Sequence, residues 1–399
     1  MSRNTPEILA PAGDFASLTA AIQGGCNAVY FGLRQFNMRA AATNFELHDL
    51  PTIRSTCTAH NVRNYLTLNT IVFDHEIDEL HRTIAEARHW VDAVICWDPA
   101  VIQACTIHTI PVHISTQASV SNTHAAQFYA GLGAQRIMAA RECSLDAIRN
   151  MTESVLAEIE VFAHGAMCVG VSGRCFLSEF TFGKSANRGE CLQNCRRRYV
   201  IRDDEEGVEL ELGNQYLLSA KDLCTIPFLE QLLDTGIHSL KIEGRGKGPH
   251  YVRTVTACYR EAVEAYSKGQ LDKTLKKELV RRLRTVYNRD FSSGFYLGQP
   301  MNEFTDTAGS KATLRKQFVG KVTNYYKKPR IAEVHVQDTT FAKGDTLLFE
   351  GPTTGAVEVA VASFRQNDTP ATQAERGSVT LHVPETLRRN DKVYRLTVL

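Results

Sequence analysis

Residues 7–32 read EILAPAGDFASLTAAIQGGCNAVYFG. The first four are apolar or extended formers, and Pro11-Ala12-Gly13 then breaks the run. Asp14 sits where a helix cap belongs, ahead of an amphipathic segment over 14–24. Gly24-Gly25 stops that segment, and residues 28–32 form a second β-rich run. The unit is strand–helix–strand, and its short connections make the two strands parallel neighbours. The same theme recurs outward along the chain. Further β-rich runs fall at 64–69, 93–97, 112–115, 136–139, 158–162 and 239–242. Helical periodicity fills 74–89, 98–108, 124–131 and 145–151 between them. Eight such strands in about 245 residues predict an α/β fold of the TIM-like (β/α)8 barrel type. An open doubly wound sheet is the alternative. It lacks support after the first strand, because Ala10-Pro11-Ala12-Gly13-Asp14 is not the dinucleotide-binding glycine pattern.

The 399 residues carry a net charge of +1, so no global field draws the chain to nucleic acid or membrane. A nucleic-acid partner would need a local basic patch. No apolar run approaches the length of a membrane span, and the amino terminus has no signal-peptide pattern. A cytoplasmic protein is expected.

One interval breaks the rhythm. Between the seventh and eighth strands lie about 75 residues instead of the usual 20–30. Within it, residues 199–202 and 208–212 flank an acidic turn in a hairpin pattern. Loops that follow barrel strands form the catalytic face, so an enlarged one there points to function. It also holds four of the eleven cysteines, Cys168-x6-Cys175-x15-Cys191-x3-Cys195. An odd cysteine count in a chain of this kind does not read as a disulfide framework. The other seven sit in apolar or helical contexts and read as small buried hydrophobes. Four soft thiolates suit zinc or an iron–sulfur cluster. The six-residue gap is loose for a zinc knuckle. Arg174, Lys184, Arg188, Arg196, Arg197 and Arg198 surround the cysteines and offset thiolate charge. An iron–sulfur cluster, a zinc site and no metal all remain open from the spacing. A C-x3-C-x2-C radical motif is absent.

Beyond the eighth strand, helices are expected over 251–268 and 273–285. A polar linker follows over 301–316, and then five or six strands fill 317–399. Those strands predict a small antiparallel β-barrel domain. The domain reading is therefore a barrel over 1–300, with a cysteine-rich insertion at 166–215, followed by linker and β-domain.

The run Phe162-Ala163-His164-Gly165-Ala166-Met167-Cys168, with Ser172-Gly173-Arg174-Cys175, Gly189-Glu190-Cys191 and Cys195-Arg196, resembles the signature of peptidase family U32, the "collagenase-like" proteins. The likeness extends over nearly the whole chain, through Leu9-Ala10-Pro11-Ala12-Gly13, Ser115-Thr116-Gln117-Ala118, Ser219-Ala220-Lys221-Asp222-Leu223 and Lys241-Ile242-Glu243-Gly244-Arg245. The resemblance implies an oxygen-independent hydroxylase with a 4Fe-4S cluster on Cys168, Cys175, Cys191 and Cys195. Length and the terminal domain are similar to the branch that hydroxylates C5 of the tRNA wobble uridine using prephenate. A shorter insertion between Tyr199 and Leu217 departs from longer members. The alternatives are a hydroxylase acting on ribosomal RNA and a U32 peptidase. Neither H-E-x-x-H nor G-x-S-x-G occurs, although the many cysteines and histidines leave a Cys–His nucleophile open.

Strand ends supply the other candidates. Lys241 and Glu243 alternate on the eighth strand, so they either point into the barrel or pair together. Arg245 could clamp a carboxylate. Arg141 and Glu142 end strand six, and His164 follows strand seven as a proton carrier. Those five apart from Arg245 are read as catalytic. Arg39, Asn44, Ser115, Gln117 and Arg245 are read as substrate-binding, with prephenate as hydroxyl donor and a tRNA anticodon loop as partner. Single-stranded loops splay their bases, as a barrel mouth requires. Arg196–Arg198 and Lys327-Lys328-Pro329-Arg330 are expected to track phosphates. No stable protein partner is expected.

Overall fold

The computed structural model describes residues 5–399 except 41, 203, 206–208, 211–215 and 308. Eight parallel strands, β1 (Glu7–Pro11), β2 (Ala28–Gly32), β3 (Arg63–Thr67), β4 (Ala93–Cys96), β5 (Val112–Ile114), β6 (Ala134–Met138), β7 (Glu158–Gly165) and β8 (Ser239–Ile242), pair in chain order. β8 then pairs with both β7 and β1, which closes the sheet into a barrel. The expected α/β barrel is thus the fold. Its helices start where short polar side chains cap them. Asp14, Asp98, Asn122 and Ser144 each accept a backbone N–H of the first turn. Strand residues that point outward meet the apolar faces of those helices in one continuous core. The barrel interior is partly ionic instead. Arg136, fully buried, meets Glu7 at 2.5 Å and Glu160 at 3.4 Å, while Lys241 meets Glu160 at 3.2 Å. Each of these four buried charges has an opposite partner, which such burial demands.

The cysteine insertion leaves β7 through short turns and the helix Leu177–Phe182. Ile201 pairs with Leu210 and Arg202 with Glu209, as the hairpin pattern predicts; the rest of that pattern, 203, 206–208 and 211–212, lies outside the described residues. Gly189 seats the insertion on the loop after β2. Its φ is +94°, and a Cβ there would lie 2.3 Å from the Asn37 carbonyl oxygen. A short strand, Asp222–Cys224, runs antiparallel to the end of β7 and pairs with Phe291–Ser292. The long helix Pro249–Ser267 and its neighbour Lys273–Leu283 follow.

The segment read as a linker lies against the barrel. Thr305 donates its N–H to Ser219, and Lys311 to Asn288, before a strand begins at Leu314. The carboxy-terminal region is an eight-stranded antiparallel sheet around its own apolar core. It packs on the helices Phe15–Gln23 and Pro249–Ser267. Gln23 bonds Thr354 and Ala356, and His250 meets Glu358 at 3.1 Å. Gly355 permits this, since a Cβ there would fall 2.3 Å from Gln23 Oε1. No helix among the described residues is long and apolar enough to cross a membrane.

Candidate functional site

The four clustered cysteines all line one cavity of about 420 Å³. Its walls are the loops that leave β1, β2, β6, β7 and β8, so it opens at the carboxy-terminal mouth of the barrel. Cys168 and Cys191 are exposed, while Cys175 and Cys195 are half-buried. Two sulfurs accept backbone N–H bonds, Cys168 from Gly170 at 3.4 Å and Cys175 from Leu177 at 3.3 Å. Burial pushes the Cys195 thiol up; Arg196 opposes this, and the other three cysteines add to it. Among the described residues, no three His, Cys, Asp or Glu side chains clasp a single point closely enough to hold one ion.

Below lies a chamber of about 70 Å³ inside the barrel. Met38, Arg39, Arg141, Gly173, Glu243 and Arg245 border both spaces. Tyr30, Thr67, Ser115, Gln117, Phe162 and Lys241 border the chamber. Its charge is dominated by cations. Arg39 is paired to Glu243 at 3.0 Å, and Lys241 to Glu160. Arg245 and Arg141 have no carboxylate in ion-pair range among the described residues. Arg245 donates only to Asn37 Oδ1 at 2.5 Å and Thr67 Oγ1 at 2.7 Å, and its guanidinium lies 5.7 Å from the Tyr30 ring. Burial pushes it down to about 10. Arg141 stacks on Phe162 at 4.1 Å, and burial lowers it too. A guanidinium held from water without a counter-charge is poised to take one.

The other expected residues divide. Ser115 donates to Gln117 at 2.5 Å, and both face the chamber. Lys241 and Glu243 do not pair with each other, because Glu160 on β7 and Arg39 on the loop after β2 reach them first. Asn44 borders neither space. Its amide donates to the Arg39 and Ala42 carbonyls, and its oxygen accepts from Asn37, so it folds the loop that carries Arg39. Glu142 also lies outside both linings. Its carboxylate accepts the Ser172 N–H at 2.9 Å and hydroxyl at 3.1 Å, bracing a residue whose φ is 45°. His164 is placed away from the cavity. The register slips between Lys241 and Ile242, so that Phe162 and then His164 are the β7 partners. That irregularity turns the imidazole outward onto Tyr259 and Phe291. Burial pushes it down to about 3, and its Nδ1 has no hydrogen-bond partner among the described residues. It stays neutral and cannot ferry protons to the mouth. Arg196 is not free for phosphate either, because it donates to the Met167 and Ala220 carbonyls and to Ser219.

Two cations of the cavity escaped the sequence reading. Lys247 sits over the Tyr287 ring at 3.0 Å, and burial pushes it down to about 8. Arg289 contacts Asp222 at 3.5 Å and Gln193 at 3.3 Å. The Gly-Arg-Gly-Lys-Gly run after β8 was a signal for the first, since such loops bring backbone close to ligands. Nothing local marked Arg289.

Residues 13–306 match the sequence model of peptidase family U32. A protein of Porphyromonas gingivalis named collagenase is 40% identical over 99% of both chains. The tRNA hydroxylation protein P1 of Bacillus subtilis is 35% identical, covering 87% of this chain and 84% of its own. The 23S rRNA 5-hydroxycytidine C2501 synthase of Escherichia coli is 38% identical over 66% of this chain and 40% of its own.

Proposed function

The chain belongs to peptidase family U32, and on that premise we propose that it is a cytoplasmic iron–sulfur enzyme that hydroxylates C5 of the tRNA wobble uridine with prephenate and without molecular oxygen. The observation that carries this reading is the sharing of one mouth by four cysteine sulfurs and by the uncompensated Arg141 and Arg245. Relatives named for hydroxylation of tRNA and of 23S rRNA support RNA as the substrate class.

Cys168, Cys175, Cys191 and Cys195 would hold a 4Fe-4S cluster. Four cysteines that line one cavity without clasping a single point suit a polynuclear core, which is broader than one ion, and the two N–H···S bonds stabilise thiolate charge. When bound, the cluster supplies one-electron chemistry and Lewis acidity. The chain does the positioning. Arg141 and Arg245 take the donor's carboxylates, with Lys247 above them and Arg39 held ready by Glu243. Ser115 and Gln117 offer hydrogen bonds from the chamber wall. Formally the base exchanges C5–H for C5–OH while a donor C–O bond becomes C–H, so the two electrons lost by the base are gained by the donor. The target base must leave its stack to enter the mouth, which an anticodon loop allows. A groove of about 680 Å³ on the terminal domain, lined by Lys327, Arg388 and Arg389, is suited to a more distant stretch of backbone phosphate.

A peptidase would need a nucleophile–base pair. No histidine is among the residues lining either space, which weighs against Cys–His hydrolysis. The test is mass spectrometry of tRNA nucleosides from a deletion strain, with and without the gene restored. Loss and recovery of 5-oxygenated uridine supports the proposal; an unchanged nucleoside profile rejects it.

A further inference from the structure

The helix Leu177–Phe182 has two unlike faces. Leu177 and Ser178 border the cysteine cavity. This side is tied down: Leu177 donates its N–H to Cys175 Sγ, and Ser178 Oγ accepts the Leu192 N–H at 3.0 Å. The other side carries Phe176 and Phe180, which are 57% and 87% exposed, while Phe182, 45% exposed, lies about half a turn round from Phe180 at the helix end. Phe176 and Phe180 lie 5.7 Å apart with their planes inclined by 34°. The Arg197 guanidinium covers Phe182 at 4.9 Å. Arg197 and Arg198 are exposed and have no carboxylate partner among the described residues. The nearby acids are occupied, Glu190 by Lys184 and Glu179 by the Ser185 hydroxyl.

Three water-exposed phenylalanines in seven residues are costly to keep unless something covers them. What covers them can be read from the chemistry beside them. They are aromatic, the Arg197 guanidinium stands at the end of their helix over Phe182, and the helix is fixed to the rim of the cavity. Flat rings next to cations suit nucleobases with their phosphates, since every base has a π-face. We propose that Phe176 and Phe180 form a stacking platform for unpaired RNA bases beside the nucleotide that enters the mouth, with Arg197, over Phe182 at the end of the same helix, for the phosphates. This rests on the RNA-modifying reading and adds how the single-stranded loop is held open. The platform follows Cys175 directly in the chain, so a stacked base is held next to the cavity wall.

The test uses the full-length protein and two RNA probes, an anticodon stem–loop and a fully paired duplex of equal length. Phe180 is nearly free of packing, so Phe180→Ala should melt like the parent. Stem–loop affinity should fall about five- to a hundredfold in Phe180→Ala, stay near the parental value in Phe180→Tyr, and leave the weaker duplex binding unchanged. Equal stem–loop binding by the parent and by a Phe176→Ala, Phe180→Ala double variant would overturn the platform. So would a parent that does not distinguish loop from duplex, or variants whose only effect is to abolish self-association in sedimentation, which would give the face to a second copy. Nucleoside analysis of the complemented deletion strain separates the two readings. If the double variant binds RNA normally while the parental gene restores the modified uridine, the platform alone has failed.

Discussion

Replacing Arg245 by methionine separates a functional cation from a structural one, because the two predict opposite signs. Arg245 is only 6% exposed and has no acidic partner among the described residues. A guanidinium pushed down to about 10 by burial costs the fold roughly 3 kcal/mol at neutral pH, at about 1.4 kcal/mol per pH unit. The sign is that of a cation with a depressed value. Below both values the unfolded chain keeps the charge at less cost, so the full penalty is present at pH 7. The two hydrogen bonds already count in that balance, and losing Arg245 orphans neither acceptor. Asn37 Oδ1 still accepts the Arg39 N–H, and Thr67 still donates to Phe31. Methionine keeps much of the stem packed on Tyr30. Urea unfolding of Arg245→Met should therefore show stability unchanged or raised by up to about 3 kcal/mol. The KM for prephenate should rise at least about tenfold, the loss of one charge-assisted carboxylate contact. Added prephenate should raise the parent's Tm and leave the variant's unchanged. A variant destabilised by about 2 kcal/mol or more, with its KM for prephenate intact, would refute the reasoning and make Arg245 a structural strut.

Gly189→Ala should unseat the cysteine insertion, since it adds a clash with Asn37 O to a φ of +94°; a loss of about 1–3 kcal/mol and faster proteolysis within 166–215 are expected, and a parental cleavage pattern would contradict this. Lys247 is held near 8 by burial, so its charge fades as pH rises through 8 and donor binding should weaken there. Lys247→Arg keeps its charge and should extend the plateau upward; identical profiles for the two would remove Lys247 from the anion site. His113 and His164 are both pushed down by burial to about 3. Below the unfolded value of about 6.5 only the unfolded chain takes up these protons. Stability is therefore whole above that pH and declines as pH falls toward 3, by about 1.4 kcal/mol per pH unit for each histidine. Urea midpoints at pH 7 and pH 5 measure the decline, and His164→Leu should lessen it by one proton's share.

Much of the barrel was legible because its information is local. A period of two inside the strands, helix caps such as Asp14 and Asp98, and glycine stops recur on one short cycle. The four cysteines were legible for the same reason, as a dense cluster in one overlong loop. Partner choice was not legible. Lys241 and Glu243 share a strand, yet each meets a residue more than 80 positions away, Glu160 and Arg39. His164 looked like a strand-end base until one irregular register step turned it outward. Arg196 looked like a phosphate contact, but its guanidinium is spent on carbonyls of segments brought in by the fold. In the terminal sheet, strands Phe364–Gln366 and Thr369–Ala371 were passed over. Their signal was present in Asn367-Asp368, both with positive φ as the tight hairpin turn requires.

In the proposed reaction, oxygen passes from a bound donor to an RNA base at the cysteine-lined mouth. Anaerobically purified protein, incubated without air with unmodified tRNA and prephenate carrying oxygen-18 at its ring hydroxyl, tests that transfer directly. The expected product is 5-hydroxyuridine bearing the heavy label, with none formed by Cys168→Ser or Cys191→Ser. Product labelled only from solvent water, or none from a preparation with a full complement of iron and sulfide, would contradict it.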